Sequence, residues 1–180
     1  LTVDGAVLVA DIAMLSGHIG TPRDGILAIR PKNNSQGLID MGITAGREAL
    51  EGVKALVVFG ENADIDTDAL EFLAVCDTHM TELASKADVV IPGTGFASTN
   101  GTFTNTERRL QLVEAAIDEG ILFSNWEVAA EIAHVFEVDF DWEDTDDISD
   151  EMSDTVPAYK YAMLDEVLGG ALAPTEDACL

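Results

Sequence analysis

The stretch at residues 101–111 (GTFTNTERRLQ) holds the side chains whose types and spacing are best suited to chemistry. It places Arg108 and Arg109 beside Glu107, in a chain with nine Lys and Arg residues and a formal net charge of −25. The small hydroxyl residues after Gly101 predict a glycine-opened turn that runs into a helix, with the charged cluster at its start. Two functions of the arginines stay open: ion pairing on a helix surface, or bracing loops around an anionic ligand.

Polar residues also follow each of three short apolar runs. Residues 60–62 (GEN) come after the first run, Asp77 and Thr78 after the second, and a loop rich in Gly, Ser and Thr after Pro92. In an open parallel sheet, ligands bind at the carboxyl ends of the strands. Glycine lets a phosphate or ribose approach the backbone, and carboxylates or amides can hydrogen-bond it. Strand ends need turn residues in any case, but their recurrence after three successive runs favours a nucleotide-type crevice.

An alternation of strands and helices must position these residues. It indicates crossover connections and a parallel sheet, so the predicted fold class is α/β. More specifically, we predict a Rossmann-like parallel sheet with flanking helices, an N-terminal helical piece and an acidic C-terminal extension. Asp66 either begins a helix that runs to Leu73 or precedes a strand that starts at Phe72. The predicted helices are residues 5–17, 37–51, 78–86 and 125–136, and the predicted strands are residues 53–59, 72–75 and 88–91.

Composition divides the chain into three parts. Residues 1–51 are predicted to form a helical segment and loop, residues 52–136 an α/β dinucleotide-binding-like domain, and residues 137–180 an acidic linker with a C-terminal helix. The first helix is so uniformly apolar that it must be covered on most sides. Residues 137–154 hold ten acidic residues and no basic one, which is typical of a solvated loop or tether. Interleaved apolar residues predict that this segment is anchored to a surface: Phe140, Trp142, Ile148 and Met152.

Familiar catalytic and metal-binding sets do not occur in this sequence. His18, His79 and His134 have no partner at zinc-ligand spacing, and Cys76 and Cys179 make neither a metal-ligand spacing nor a disulfide framework. Walker, G-x-G-x-x-G and G-x-S-x-G motifs are also missing. We therefore predict no catalytic residue and no metal ligand in this chain, and we interpret Cys76 as a small buried hydrophobe.

The charge balance bears on possible partners. A field from 34 acidic residues repels nucleic acid and anionic membrane surfaces. The sequence shows no signal peptide and no apolar run long enough to span a bilayer, which predicts no direct membrane insertion and a cytoplasmic location. Three causes of the acidic composition stay open: it increases solubility, it favours binding to a basic partner protein, or it is an adaptation to a salty cytoplasm. The chain begins at Leu1, so it is either processed or a piece of something longer.

Several motifs make the chain resemble the molybdopterin oxidoreductase family. The most similar branches are formate dehydrogenase catalytic subunits and the large G-type subunit of bacterial NADH dehydrogenase (complex I). The motifs follow the family's order over the whole length, but they match only the middle portion of such a subunit. They are residues 15–22 (LSGHIGTP), 30–37 (RPKNNSQG), 40–42 (DMG), 60–62 (GEN), 77–82 (DTHMTE), 87–92 (ADVVIP) and 101–111.

The resemblance implies a cofactor and partners. In that family the strand-end loops hold a molybdopterin guanine dinucleotide, and the matching residues here would line one nucleotide site. Glu107 and Arg108 would lie near it, and Arg30 would point toward the metal end of the cofactor. Iron–sulfur and flavin groups are expected in partner subunits of a multi-subunit redox complex. The implied cofactor-binding residues are Arg30, Asn33, Asn34, Gln36, Gly60, Glu61, Asn62, Asp77, Thr78, Thr102, Asn105, Glu107 and Arg108.

Departures from the family pattern leave more than one function open. Pro31 and Lys32 replace the family's Gly-Gln beside Arg30, and no Cys or selenocysteine stands as a molybdenum ligand. The family's iron–sulfur motif and its C-terminal barrel-like domain lie outside this chain. The chain is therefore predicted to be a scaffold without its own redox centre, for which the G-type subunit is a precedent. Alternatively, its crevice holds a dinucleotide shared with a partner chain, or the chain is a stand-alone nucleotide-binding module.

Overall fold

A parallel sheet of three strands forms the centre of the structure, a computed structural model that describes residues 2–20, 25–30, 32–44, 46–118, 120 and 122–160. The strands are β1 (Ala55–Phe59), β2 (Phe72–Asp77) and β3 (Val89–Pro92), in the order β1-β2-β3. The α/β fold class and all three predicted strands are thereby confirmed. For the segment after Asp66, the strand is the correct alternative.

The core lies on the central strand β2. Leu73 and Val75 pack with Leu83 and Ala84, which follow β2 in the chain, and all four are buried. Burying a Leu or Val side chain contributes roughly 1.5–3 kcal/mol, so this cluster is the main hydrophobic support of the sheet. Cys76 has no exposed surface, which confirms its interpretation as a buried hydrophobe.

Two predicted helices are wrong over most of their length. Residues 78–86 form a turn that ends in a short 3₁₀ helix, Ala84–Lys86. In this turn the Thr81 hydroxyl accepts the amide of Ala84, a local side-chain bond that competes with helix formation. The predicted helix over 37–51 is replaced by two short elements, α2 (Ser35–Asp40) and a 3₁₀ helix at Arg47–Leu50. α2 ends before Gly42 because a residue with a φ of +81° cannot continue a helix.

Residues 101–111 form part of a β-hairpin and not a turn leading into a helix. Strands β4 (Gly101–Thr104) and β5 (Leu110–Val113) pair antiparallel, with Thr104 opposite Leu110. Threonine and phenylalanine favour a pleated strand, and the Asn105 side chain closes the loop by accepting the amides of Glu107 and Arg109. The charged cluster therefore lies in a hairpin loop.

Two longer helices follow the hairpin. α3 (Asn125–Val135) confirms the predicted helix and begins with a capping box between Ser124 and Glu127. α4 (Thr145–Thr155) lies within the acidic segment that we predicted as a loop or tether, so that prediction is wrong for residues 145–154. Asp144 caps this helix, and acidic residues in its first turn are favoured by the helix dipole.

The predicted anchors of the acidic segment make specific contacts. The rings of Phe140 and Trp142 stack with centroids 3.9 Å apart, and the Trp142 indole donates to Glu151 at 2.7 Å. Met152 packs near Tyr159, in the 3₁₀ helix Pro157–Tyr159 that ends the described chain. The predicted C-terminal helix beyond residue 160, like Pro31 and Cys179, lies outside the described residues.

The N-terminal helix α1 (Val3–Leu15) forms as predicted, but the described residues do not cover it. None of its residues is buried, and Val3 and Leu15 are 81% and 89% exposed. Within the part of the chain that the structure describes, no helix is both long and apolar enough to cross a membrane. The division of the chain at residues 52 and 136 stays a prediction.

Candidate functional site

Ten of the thirteen predicted site residues fall into two groups, the first at the ends of β1 and β2. These strands end side by side because Phe59 pairs with Cys76. The amide of Gly60 donates to the carbonyl of Cys76 at 2.8 Å, and its φ of +59° is a conformation that favours glycine. We call this set the strand-end group: Gly60, Glu61, Asn62, Asp77 and Thr78.

Side chains of the strand-end group brace the turns around them. The Asn62 amide oxygen accepts the backbone N–H of Leu83 at 3.1 Å, which fastens the first strand end to the segment after the second. Asp77 accepts the N–H of Thr78 at 2.7 Å, and the Thr78 hydroxyl lies 2.7 Å from the His79 ring. Asn62 and Asp77, which are predicted ligand-binding residues, therefore already accept hydrogen bonds from the backbone.

The second group surrounds a cavity of about 410 Å³ between Arg30 with residues 32–36 and the hairpin. Arg30, Asn33, Asn34, Gln36 and Asn105 all line this loop–hairpin cavity, together with Lys32 and Thr104. Its volume lies within the range of roughly 300–1,000 Å³ that is usual for small-ligand sites. The structure therefore brings five residues of the prediction to one polar cavity with two cationic side chains.

Asn34 joins the loop of this cavity to the hairpin. It takes a left-handed conformation with φ +56°, and its side-chain oxygen accepts the amide of Thr104 at 2.9 Å. A Cβ on the neighbouring Gly37 would lie 2.3 Å from that oxygen, so any other residue here would displace the Asn34 side chain. Gln36 lies within α2 and donates to Asp40 of the same helix at 3.0 Å.

The remaining predicted residues, all on the hairpin, do not line the cavity. Thr102 lies within β4 opposite Leu112. Glu107 pairs with Arg109 at 3.7 Å. Arg108 turns to α2, where it pairs with Asp40. The helix-surface alternative for the arginines does not apply, because both lie in the hairpin loop. Arg108 braces the hairpin against α2, and bracing of loops around an anionic ligand stays a prediction.

An ion pair between Lys32 and Glu61 connects the two groups. Lys32 is one of the two residues that depart from the family pattern beside Arg30. Sequence reasoning marked it as a departure but did not predict its partner. It also missed Asp40, Thr104 and Tyr159, which link the loop, α2 and the hairpin, because no local pattern joins positions so far apart.

A larger cavity, of about 690 Å³, contains none of the predicted site residues. It lies between residues 94–100, residues 115–118 and 122–127, and the start of α4. Its carboxylates include Glu127 and Asp144, which already cap α3 and α4. Two of the acidic side chains that line this cavity therefore have a structural role as helix caps.

Burial shifts the pKa of two groups near the sites. Desolvation, with the charge of Asp77 as a smaller cause, raises the pKa of the Cys76 thiol above its usual value, so the thiol stays protonated. Desolvation likewise raises the pKa of the Tyr159 hydroxyl. Across the described residues, His, Cys, Asp and Glu side chains form no group of three or more that could hold a metal ion.

Comparisons with known proteins give a consistent result. The family model "Molybdopterin oxidoreductase" matches residues 4–135. The F420-dependent formate dehydrogenase subunit alpha of Methanocaldococcus jannaschii is 29% identical over an alignment of 206 positions, gaps included, that spans 88% of this chain and 31% of that protein. A subunit alpha of F420-dependent formate dehydrogenase 1 from Methanococcus maripaludis is also 29% identical, over 83% of this chain and 29% of the relative. The chain thus spans less than a third of these relatives' length.

Proposed function

Because the chain belongs to the molybdopterin oxidoreductase family, we propose that it is the central α/β module of a formate-dehydrogenase-like subunit. In this proposal it acts as a scaffold within a multi-subunit electron-transfer complex and has no redox centre of its own. Iron–sulfur and flavin proteins would be its partners. The G-type subunit of NADH dehydrogenase remains the alternative branch of the same family.

The Lys32–Glu61 ion pair is the observation that carries the scaffold proposal. Glu61 is the carboxylate that the resemblance assigns to the nucleotide, and here Lys32 binds it from the loop beside Arg30. The pair connects the strand-end group to the loop–hairpin cavity through side chains of this chain. An exposed pair of this kind contributes only about 0–1 kcal/mol, so its importance is the geometry that it holds.

A second candidate function is supported by the loop–hairpin cavity. Arg30, Asn33 and Asn105 can donate hydrogen bonds there, which suits the phosphates and ring edges of a pterin dinucleotide. The volume fits one part of such a cofactor. When bound, a molybdopterin supplies metal-centred redox chemistry. In this case the residues of the chain would bind and orient the cofactor, while a metal ligand would come from outside the described residues.

Metal and pterin analysis of the purified native complex separates the two functions. The scaffold proposal expects complex-bound chain without stoichiometric molybdenum, tungsten or guanine nucleotide. Stoichiometric metal and guanine nucleotide that stay with this chain after the other subunits are stripped away would contradict it. Mass spectrometry of the co-purifying subunits tests the partners: iron–sulfur and flavin proteins are expected, and their absence from an intact complex would oppose both functions.

A further inference from the structure

The segment after residue 135 lies beyond the family match, yet it returns to the matched part of the fold. α4 and the 3₁₀ helix Pro157–Tyr159 lead the chain back so that Tyr159 is 1% exposed. Its ring packs with Leu110 of β5, and Met41 packs against the same cluster. The acidic segment 137–154 is therefore followed by a fully buried aromatic residue that anchors the end of the described chain.

The hydroxyl of Tyr159 lies where three elements meet. It forms a hydrogen bond of 2.6 Å with the hydroxyl of Thr104, which is itself 1% exposed. The Thr104 amide donates to Asn34, and a Cβ on Gly37 would lie 3.2 Å from the Tyr159 oxygen. The contacts run from Tyr159 through Thr104 to Asn34, and the last two residues line the loop–hairpin cavity.

We propose that Tyr159 is a positioning residue that sets the shape of the loop–hairpin cavity through Thr104 and Asn34. Residues 137–160, which comprise the acidic segment and the 3₁₀ helix after it, then act as a strap that holds the cavity loop against the hairpin. This inference goes beyond the proposed function, because it concerns which part of the chain shapes the cavity, whether a cofactor or only water occupies it.

Hydrophobic packing alone does not account for these contacts. A phenylalanine or leucine would fill the same apolar volume beside Leu110, but a buried hydroxyl requires a partner. The Thr104 hydroxyl is that partner. The Thr104 amide also donates to Asn34 and supports its left-handed conformation, which costs energy without such support. The polar bond therefore specifies the position of the loop, and the ring anchors the strap.

Hydrogen exchange in the full chain tests the proposal, because the Thr104 amide bonded to Asn34 reports directly on the junction. In Tyr159→Phe we expect this amide to exchange about tenfold faster, the effect of losing one buried hydrogen bond, while β2 amides change by less than about twofold. Val156→Ala is the matched control, since it removes methyl groups from the same cluster and keeps the hydroxyl bond. It should leave the Thr104 amide within about twofold.

Substitutions at Thr104 separate positioning from stability. Thr104→Val should reproduce the effect of Tyr159→Phe, Thr104→Ser should retain protection, and the double variant Thr104→Val with Tyr159→Phe should be no worse than either single variant. An unchanged Thr104 amide in Tyr159→Phe would overturn the proposal. Equal acceleration of amide exchange in β2 would also overturn it, as would fully additive effects of the two substitutions in the double variant. Either result would show that Tyr159 contributes only general core packing.

Discussion

Arg108 in the hairpin loop and Asp40 in α2 form a two-point ion pair across 68 positions of sequence. The Arg108 Nε lies 3.2 Å from one carboxylate oxygen of Asp40, and Nη2 lies 3.2 Å from the other. The Asp40 side chain is 7% exposed and that of Arg108 is 23% exposed. A planar guanidinium matches a carboxylate in this way, which lysine cannot do. The pair thus holds α2, and with it the cavity loop, against the hairpin.

Removing the Arg108 side chain should destabilise the fold by about 2–4 kcal/mol, because it leaves the carboxylate of Asp40 buried without its cation. Arg108→Ala and Arg108→Lys are measured by chemical denaturation, and the lysine variant should recover only part of the loss. Lys86→Ala is the control, since it breaks an exposed i,i+4 pair with Glu82 and should cost about 0.5 kcal/mol or less. Equal losses in Arg108→Ala and Lys86→Ala would show that the Arg108–Asp40 pair is not a special support.

Gly37→Ala should destabilise the protein by about 1–3 kcal/mol despite the higher helix propensity of alanine, because the added methyl group overlaps Asn34 and approaches Tyr159. Thermal unfolding measures the loss. Gly95→Ala is the matched control: its backbone is extended and the nearest atom to an added Cβ is 4.0 Å away. A neutral Gly37→Ala would mean that the loop has room to move away from α2.

Stability should fall at alkaline pH through Tyr159. Burial raises the pKa of its hydroxyl in the folded state, and Asp40 adds to this, while the Thr104 hydrogen bond and the Arg108 charge lower it. The stabilising contribution is therefore complete below the ordinary tyrosine pKa of about 10, and it is lost as the pH rises through the folded-state value. Denaturation across this range should show a slope in the wild type that Tyr159→Phe reduces. Parallel pH profiles in the two proteins would refute this assignment.

Restoring the family residue at position 32 tests the connection between the two groups of the site. Lys32→Gln should change the free energy of unfolding by less than about 1 kcal/mol, because the Lys32–Glu61 pair is exposed. Exchange of amides in residues 60–62 and 32–36 should nevertheless increase, since the two loops lose their contact. Lys54→Gln, which breaks the exposed pair with Glu71, is the control and should leave both loops unchanged. Unaltered exchange in Lys32→Gln would remove the main support for the scaffold proposal.

Local patterns were sufficient for the sheet and for part of the site. Apolar runs near residues 53–59, 72–75 and 88–91 predicted β1, β2 and β3. Such runs are typical of parallel strands, whose two faces are both buried. The same runs predicted that Gly60 and Asp77 lie at the carboxyl ends of strands. Motif order predicted the family. Helix predictions over 37–51 and 78–86 failed because Gly42 and side-chain bonds such as that of Thr81 end or replace the helical hydrogen bonds.

Tertiary structure decided how these pieces hold one another. Residues 101–111 carry hydroxyl and charged side chains that fit either a helix start or a hairpin, and pairing of β4 with β5 selects the hairpin. Tyr159 lies 55 positions from Thr104, and Lys32 lies 29 positions from Glu61, so no periodicity relates them. Sequence alone determined the family, the parallel sheet and its polar strand ends, since these depend on local spacing. The partners of Arg108, Lys32 and Tyr159 depend on the path of the whole chain, which brings distant residues into contact.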